Sequence, residues 1–128
     1  MSEKPLPADI QKFIILCIHS VPHLEALLLL HNDSQQEWDA HEISQRLYTR
    51  HDTAGEVLSD LFETGFLAVR KRNVRFYRYS PSSRELGEMV ERLEDVYASN
   101  LIAVTELIHA RGKVKAQQFA DAFRLWKD

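Results

Sequence analysis

The side chains best suited to holding a charged ligand lie in one short basic segment. Five cations occur there with no acidic residue among them: Arg70, Lys71, Arg72, Arg75 and Arg78. Guanidinium and ammonium groups bind phosphate oxygens through charge-assisted hydrogen bonds. Arg46 and Arg50 are two further candidates for phosphate contacts. The clustering favours binding of a phosphate-rich polymer, and charges that simply pair with an acidic helix face are the alternative.

Cysteine and histidine near the start of the chain raise a second kind of chemistry, metal binding. Cys17 and His19 are two residues apart, which places them about 200° apart on a helix. His19 and His23 are four apart, but Ser20 and Pro22 are expected to break the helix between them. We therefore expect these side chains to have structural or incidental roles, with no metal and no cofactor.

Catalytic motifs are not found in the sequence. It has no glycine-rich phosphate loop, no HExxH motif and no nucleophile elbow, and only 4 of its 128 residues are glycine. We therefore predict that the protein is not an enzyme.

Composition places limits on fold and location. The length and the 45% hydrophobic content suit one domain with a sizeable core. The formal net charge is −3, so binding of an acidic polymer has to come from a local patch. The single cysteine fits a reducing compartment, and the longest aliphatic run, Leu27 to Leu30, is far too short to span a bilayer. We expect a cytoplasmic protein with no membrane partner.

Two helices are predicted ahead of the basic segment. Asp39 is placed as the N-cap of a short helix, with Glu42 positioned to complete a capping box. After a polar turn at residues 48–51, Thr53 repeats the capping pattern and is predicted to cap a second helix. That helix ends at Gly65. Its apolar positions have helical spacing: Val57, Leu58, Leu61 and Phe62.

The basic segment itself is predicted to form the tip and the second strand of a β-hairpin. Residues 66–69 and 75–79 are rich in β-branched and aromatic side chains and have the pattern of two strands. Residues 70–74 join them. Trp38 is expected to form a short strand that pairs with the edge of the hairpin.

Helices are also predicted on both sides of this central part. Residues 1–8 are expected to be a disordered lead-in, followed by an apolar helix over 10–18 and a helix capped by Ser20. Ser82 is predicted to cap a helix that continues to His109, about 28 residues and about 42 Å long.

The region 82–128 is predicted to mediate dimerisation. Apolar side chains follow a heptad spacing in the long helix, with Asn100 as the polar member: Val90, Leu93, Tyr97, Val104 and Leu107. A last amphipathic helix contains Phe119, Phe123 and Trp126. A small monomer would leave much of this apolar surface in water, so we predict a homodimer.

Residues 38–79 resemble the winged helix-turn-helix transcriptional regulators, most nearly the MarR-like group. Residues 38–44 are similar to the strand and first helix of that motif, and residues 53–67 to its recognition helix and the following Gly-apolar-apolar strand start. The resemblance implies a mainly α fold with a small β-hairpin and flanking N- and C-terminal helices. It implies one domain over 1–128, with the helix-turn-helix and wing in 38–81. It also implies a recognition helix in the major groove of double-stranded DNA.

The predicted recognition helix departs from the pattern of a base-reading helix. Its outward positions, expected to be Gly55, Glu56, Ser59, Asp60 and Glu63, include no Arg, Lys, Asn or Gln. We predict a DNA-binding transcriptional regulator whose wing carries most of the affinity. The predicted contacts are Arg46, Arg50, Thr53, Ser59, Arg70, Lys71, Arg72, Asn73 and Arg75. The alternative is a winged-helix module that binds a protein partner and no DNA.

Overall fold

A computed structural model describes residues 5–113, which form helices around one antiparallel β-hairpin. The elements are α1 (Ala8–Cys17), α2 (Val21–Asn32), α3 (Ala40–Leu47), α4 (His51–Thr64), β1 (Leu67–Lys71), β2 (Arg75–Tyr79) and α5 (Arg84–Ser99). Residues 101–113 are also helical and are labelled α6. The predicted mainly helical class with a small hairpin is confirmed. The predicted C-terminal helix with Phe119, Phe123 and Trp126 lies outside the described residues.

The start of α3 confirms the predicted capping box. The Asp39 carboxylate accepts the Glu42 backbone N–H at 2.8 Å, and the Glu42 carboxylate accepts the Asp39 N–H at 3.0 Å. Two backbone donors that a helix leaves unpaired are thereby satisfied.

The start of α4 differs from the prediction, whereas its end agrees. The helix begins at His51, and Arg50 occupies the N-cap position without a side-chain cap. Thr53 is already inside the first turn, because the Arg50 carbonyl accepts the Ala54 N–H at 2.9 Å. Gly65 ends the helix in the left-handed conformation at φ 101°, which a residue without a Cβ adopts readily.

The hairpin is extended by one strand-like residue, as predicted. Trp38 and Tyr77 exchange two backbone hydrogen bonds, each 2.8 Å long. This bridge joins the residue before α3 to the middle of β2, and so holds the hairpin against the helix-turn-helix pair.

The core is a single cluster of buried apolar side chains drawn from all the helices and the hairpin. In α4 the buried side chains are Ala54, Val57, Leu58 and Leu61. Phe62, the fourth apolar residue at the predicted helical spacing, is 41% exposed. Phe62 follows Leu61 by 100° around the helix, which turns it to the edge, where its ring contacts Tyr77.

The predicted long helix is broken into α5 and α6, so that expectation was also wrong. Asn100 has non-helical angles (φ −138°, ψ 50°); its N–H donates to the Val96 carbonyl and its carbonyl accepts the Val104 N–H. Asparagine competes with the helical backbone and favours helix ends. Val90, Leu93 and Val104 of the predicted seam are fully buried within this one chain.

The cap of α5 is one residue later than predicted. Ser83, not Ser82, accepts the Leu86 N–H, at 3.1 Å. The Ser82 backbone N–H donates instead to the Gly65 carbonyl at 2.8 Å.

Ion pairs and hydrogen bonds tie the outer helices together. Arg92 of α5 binds the Asp9 carboxylate of α1, and the guanidinium lowers the pKa of that carboxyl. Arg111 of α6 donates two hydrogen bonds to the Ile15 carbonyl at the end of α1.

None of the helices in residues 5–113 is by itself long and apolar enough to cross a bilayer. The pair α1 and α2 meets the length and composition criteria only when taken together, and the two helices are bent by 104°.

Candidate nucleic-acid interface

The pairing of the two strands divides the basic segment between opposite faces of the hairpin. Lys71 lies directly opposite Arg75, and Arg70 lies opposite Phe76, in the antiparallel register. Because side chains alternate along a strand, Lys71 and Arg75 share the face of Tyr77, whereas Arg70 and Arg78 share the other face. Tyr77 is buried against the helices, so the face with Lys71 and Arg75 is the one turned to α4.

Arg70 is engaged on the far side of the hairpin. Its guanidinium lies 2.6 Å from the Glu37 carboxylate, in an ion pair between two partly exposed side chains. The fold therefore directs Arg70, one of the predicted contact residues, away from α4.

Three exposed cations remain at the tip end of the hairpin, and we call them the wing cations: Lys71 and Arg75, which lie on the face turned to α4, and Arg72, which follows Lys71 in the connecting turn. All three are exposed, and none of them forms an ion pair within residues 5–113. Like charges placed directly opposite in a sheet repel each other, and the pair formed by Lys71 and Arg75 has this arrangement. An anion bound between them would remove that repulsion.

A groove of about 260 Å³ separates Lys71 and Arg75 from α4. Its helix wall contains Ser59, Phe62 and Glu63, and its hairpin wall contains Lys71 and Arg75. The predicted contact residues Ser59, Lys71 and Arg75, which are distant in sequence, are thereby brought to one place.

A second hollow, of about 380 Å³, lies between the start of α3, α4 and β2. Ser59 and Arg75 line it as well, together with His41 and His51, whose ring centroids are 6.3 Å apart. Neither histidine is among the predicted site residues. They are ten residues apart on different helices, and no local pattern connects them.

The remaining predicted contacts lie around the helix-turn-helix turn or at the hairpin tip. The Arg46 guanidinium carbon lies 5.1 Å from the centroid of the Trp38 ring, in a cation–π contact. Arg50 is exposed and pairs with Asp52 at 3.2 Å. Thr53 is half-buried in the first turn of α4, and Asn73 is exposed at the hairpin tip. None of these four residues lines the groove between α4 and the hairpin.

The acidic face of α4 is smaller than predicted. Glu56 and Glu63 are exposed, but Asp60 turns toward the start of α2, where its carboxylate lies 2.9 Å from His23 Nε2. Asp60 is absent from both hollows that α4 shares with the hairpin. Its side chain is 46% exposed, as an outward position requires, but it lies on the side of α4 against which the start of α2 packs.

The turn between α3 and α4 exposes a tyrosine that is not among the predicted site residues. Tyr48 is 96% exposed and has a left-handed backbone, with φ 54°. This conformation costs most residues about 1–2 kcal/mol relative to the right-handed one.

Comparison with solved structures identifies the fold. HlyU from Vibrio cholerae N16961 is similar, with a TM-score of 0.54 and 25% identity over 70% of this chain and 95% of HlyU. A structure of reduced HlyU from the same organism has a TM-score of 0.52 at 25% identity, over 70% of this chain and 90% of that one. The heme sensor protein PefR from Streptococcus agalactiae, in complex with heme, has a TM-score of 0.55 at 16% identity, over 86% of this chain and 79% of PefR. The chain has the winged-helix fold.

The winged-helix fold gives the elements their usual names. In this chain α3 and α4 are the helix-turn-helix pair, α4 is the recognition helix, and β1 and β2 form the wing. The structural neighbours are winged-helix transcriptional regulators. No protein-family model and no curated protein matches the sequence. The finer resemblance to the MarR-like group stays a prediction.

Proposed function

We propose that this winged-helix protein is a DNA-binding transcriptional regulator that holds its duplex mainly through the wing. The observation that carries the proposal is the group of exposed wing cations, of which Lys71 and Arg75 line the groove beside α4. They form no ion pair with the acidic residues of that helix among the described residues. A wing neutralised by α4 would have favoured a protein-binding module instead. The structural likeness to regulators supports the same role.

The recognition helix contributes little attraction in this proposal. Glu56 and Glu63 are exposed on it, and two unit charges 4 Å apart in water interact by about 1 kcal/mol. Each carboxylate that faces a phosphate therefore offsets about one contact from the wing. Affinity should come from phosphate contacts, which position a protein on DNA but do not read its sequence.

A homodimer completes the proposal. The predicted heptad seam faces the core of the single chain, but other apolar side chains remain in water, among them Leu16, Leu101 and Ile102, each more than half exposed. A dimer would bury such side chains and would present two wings to one duplex. With three phosphate contacts per subunit, the slope of log affinity against log salt should be near −5, since each neutralised phosphate contributes about −0.9.

The test is a salt titration on two unrelated DNA duplexes. Replacing Arg72 and Arg75 by alanine should leave about one contact per subunit and flatten the slope to about −2. Both duplexes should be weakened alike. Arg78→Ala is the matched control: it removes an exposed cation from the opposite face of the same strand and should leave the slope near −5.

Two outcomes would contradict the proposal. Absence of wild-type binding at low salt would favour the protein-interaction module. A strong preference for one duplex that survives loss of Arg72 and Arg75 would show that α4 reads bases despite its acidic face.

A further inference from the structure

Two histidines and one aspartate from separate parts of the chain converge on the side of α4 away from the wing. His19 lies between α1 and α2, His23 lies in the first turn of α2, and Asp60 lies in α4. One ligand atom from each lies within 4.8 Å of the other two. The distances to Asp60 Oδ2 are 2.9 Å from His23 Nε2 and 3.8 Å from His19 Nδ1.

The buried member of this cluster is oriented by a neighbour. Ser20 Oγ lies 2.6 Å from His23 Nδ1, so Nε2 is the nitrogen that faces Asp60. Histidines that bind metals usually have their second ring nitrogen held in this way, which fixes the ring and its tautomer. The side chain of His23 is 11% exposed, whereas those of His19 and Asp60 are 38% and 46% exposed. The cluster thus has one anchored ligand and an open side through which an ion can enter.

We propose that His19, His23 and Asp60 form a binding site for a divalent transition-metal ion of the Zn²⁺ type. Two imidazole nitrogens and one carboxylate oxygen suit Zn²⁺ and Co²⁺, whereas Mg²⁺ and Ca²⁺ prefer oxygen ligands. Ligand atoms around tetrahedral zinc are about 3.3 Å apart, a value that lies between the two distances to Asp60. Three protein ligands leave the fourth position for water.

The position of the site has a structural consequence. Asp60 is 37 residues from His23 and belongs to the recognition helix, so a bound ion would link the start of α2 to the middle of α4. Binding of the ion itself does not depend on the proposed DNA-binding function, and its test requires no DNA.

The experiment uses the full chain without a polyhistidine tag. Titration with CoCl₂, followed by visible absorption, should show one saturable site per chain, and ZnCl₂ should displace the cobalt. H19Q and D60N should each weaken Co²⁺ binding at least tenfold. H109Q is the matched control, because it removes an exposed histidine of α6 and should leave the affinity within twofold.

The variants at His19 and Asp60 alter partly exposed side chains, so either one suffices if the other fails to fold. The proposal is overturned if the wild-type chain shows no saturable cobalt binding. It is equally overturned if a folded H19Q or D60N binds cobalt as tightly as wild type, or if H109Q loses as much affinity as they do.

Discussion

Gly65 and Gly55 are two glycines of one helical segment for which the structure predicts opposite effects of the same substitution. At Gly65, φ is 101°, and a new Cβ would lie 2.7 Å from Ser82 Oγ. An alanine in the left-handed region costs about 1–2 kcal/mol. Ser82 is exposed, so its hydroxyl can rotate away and should add little. We expect Gly65→Ala to lower the free energy of unfolding by about 1–2 kcal/mol.

Gly55 lies inside α4, where glycine is a poor helix former. A Cβ added there would meet the Ala40 Cβ at 3.9 Å, which is an ordinary van der Waals contact. Glycine costs about 0.5–1 kcal/mol relative to alanine in a helix interior. Gly55→Ala should therefore raise the free energy of unfolding by that amount.

The assay is urea denaturation followed by circular dichroism at 222 nm, with all variants at one protein concentration, because a dimer makes stability depend on concentration. Ser82→Ala in the Gly65→Ala background separates backbone strain from collision with the hydroxyl. Recovery of more than about half of the loss would show that the collision, not the left-handed backbone, dominates. Effects of the same sign at Gly55 and Gly65 would refute the reasoning for both sites.

Three further predictions concern stability and assembly. Leu61→Ala should lower the free energy of unfolding by about 2–5 kcal/mol, because Leu61 is only 1% exposed. Glu63→Ala should change it by less than about 0.5 kcal/mol. Equal effects of the two variants in chemical denaturation would mean that the buried face of α4 is misassigned. Tyr48→Gly should raise the unfolding midpoint by relieving the left-handed strain, and Tyr48→Val should lower it; the reverse order would contradict that strain. Light scattering at micromolar concentration should report twice the mass of one chain. The double variant Leu101→Glu, Ile102→Glu should have the mass of a monomer. A monomeric wild type would exclude the dimer.

The features that the sequence predicted correctly are those decided within a few residues. The capping box of Asp39 and Glu42 depends on two side chains reaching backbone groups three positions away. Gly65 ends α4 because only a residue without a Cβ takes that backbone angle without strain. The hairpin also follows from local strand patterns, with Trp38 added to its edge.

Helix boundaries were less well predicted, because they depend on the neighbouring turns and on packing against the core. Arg50 and Thr53 are both near the start of α4. Which of them is the N-cap depends on the backbone conformation of the preceding turn, in which Tyr48 is left-handed. At Asn100 the apolar repeat runs on through the sequence, but Val90 and Val104 have to reach the same core from two helices. The sequence shows the apolar repeat, but it does not show that the helix is interrupted at Asn100.

The composition of the candidate sites was decided by tertiary structure. Strand alternation alone separates Lys71 from Arg70, but which of the two faces α4 depends on Tyr77 packing into the core. Asp60 illustrates the same limit. The sequence places it on an outer position of α4, but only the packing of α2 brings His23 within hydrogen-bonding distance of its half-exposed carboxylate. A local pattern fixes the angle between side chains on one element. Only the packing of the other elements determines which of those side chains face solvent.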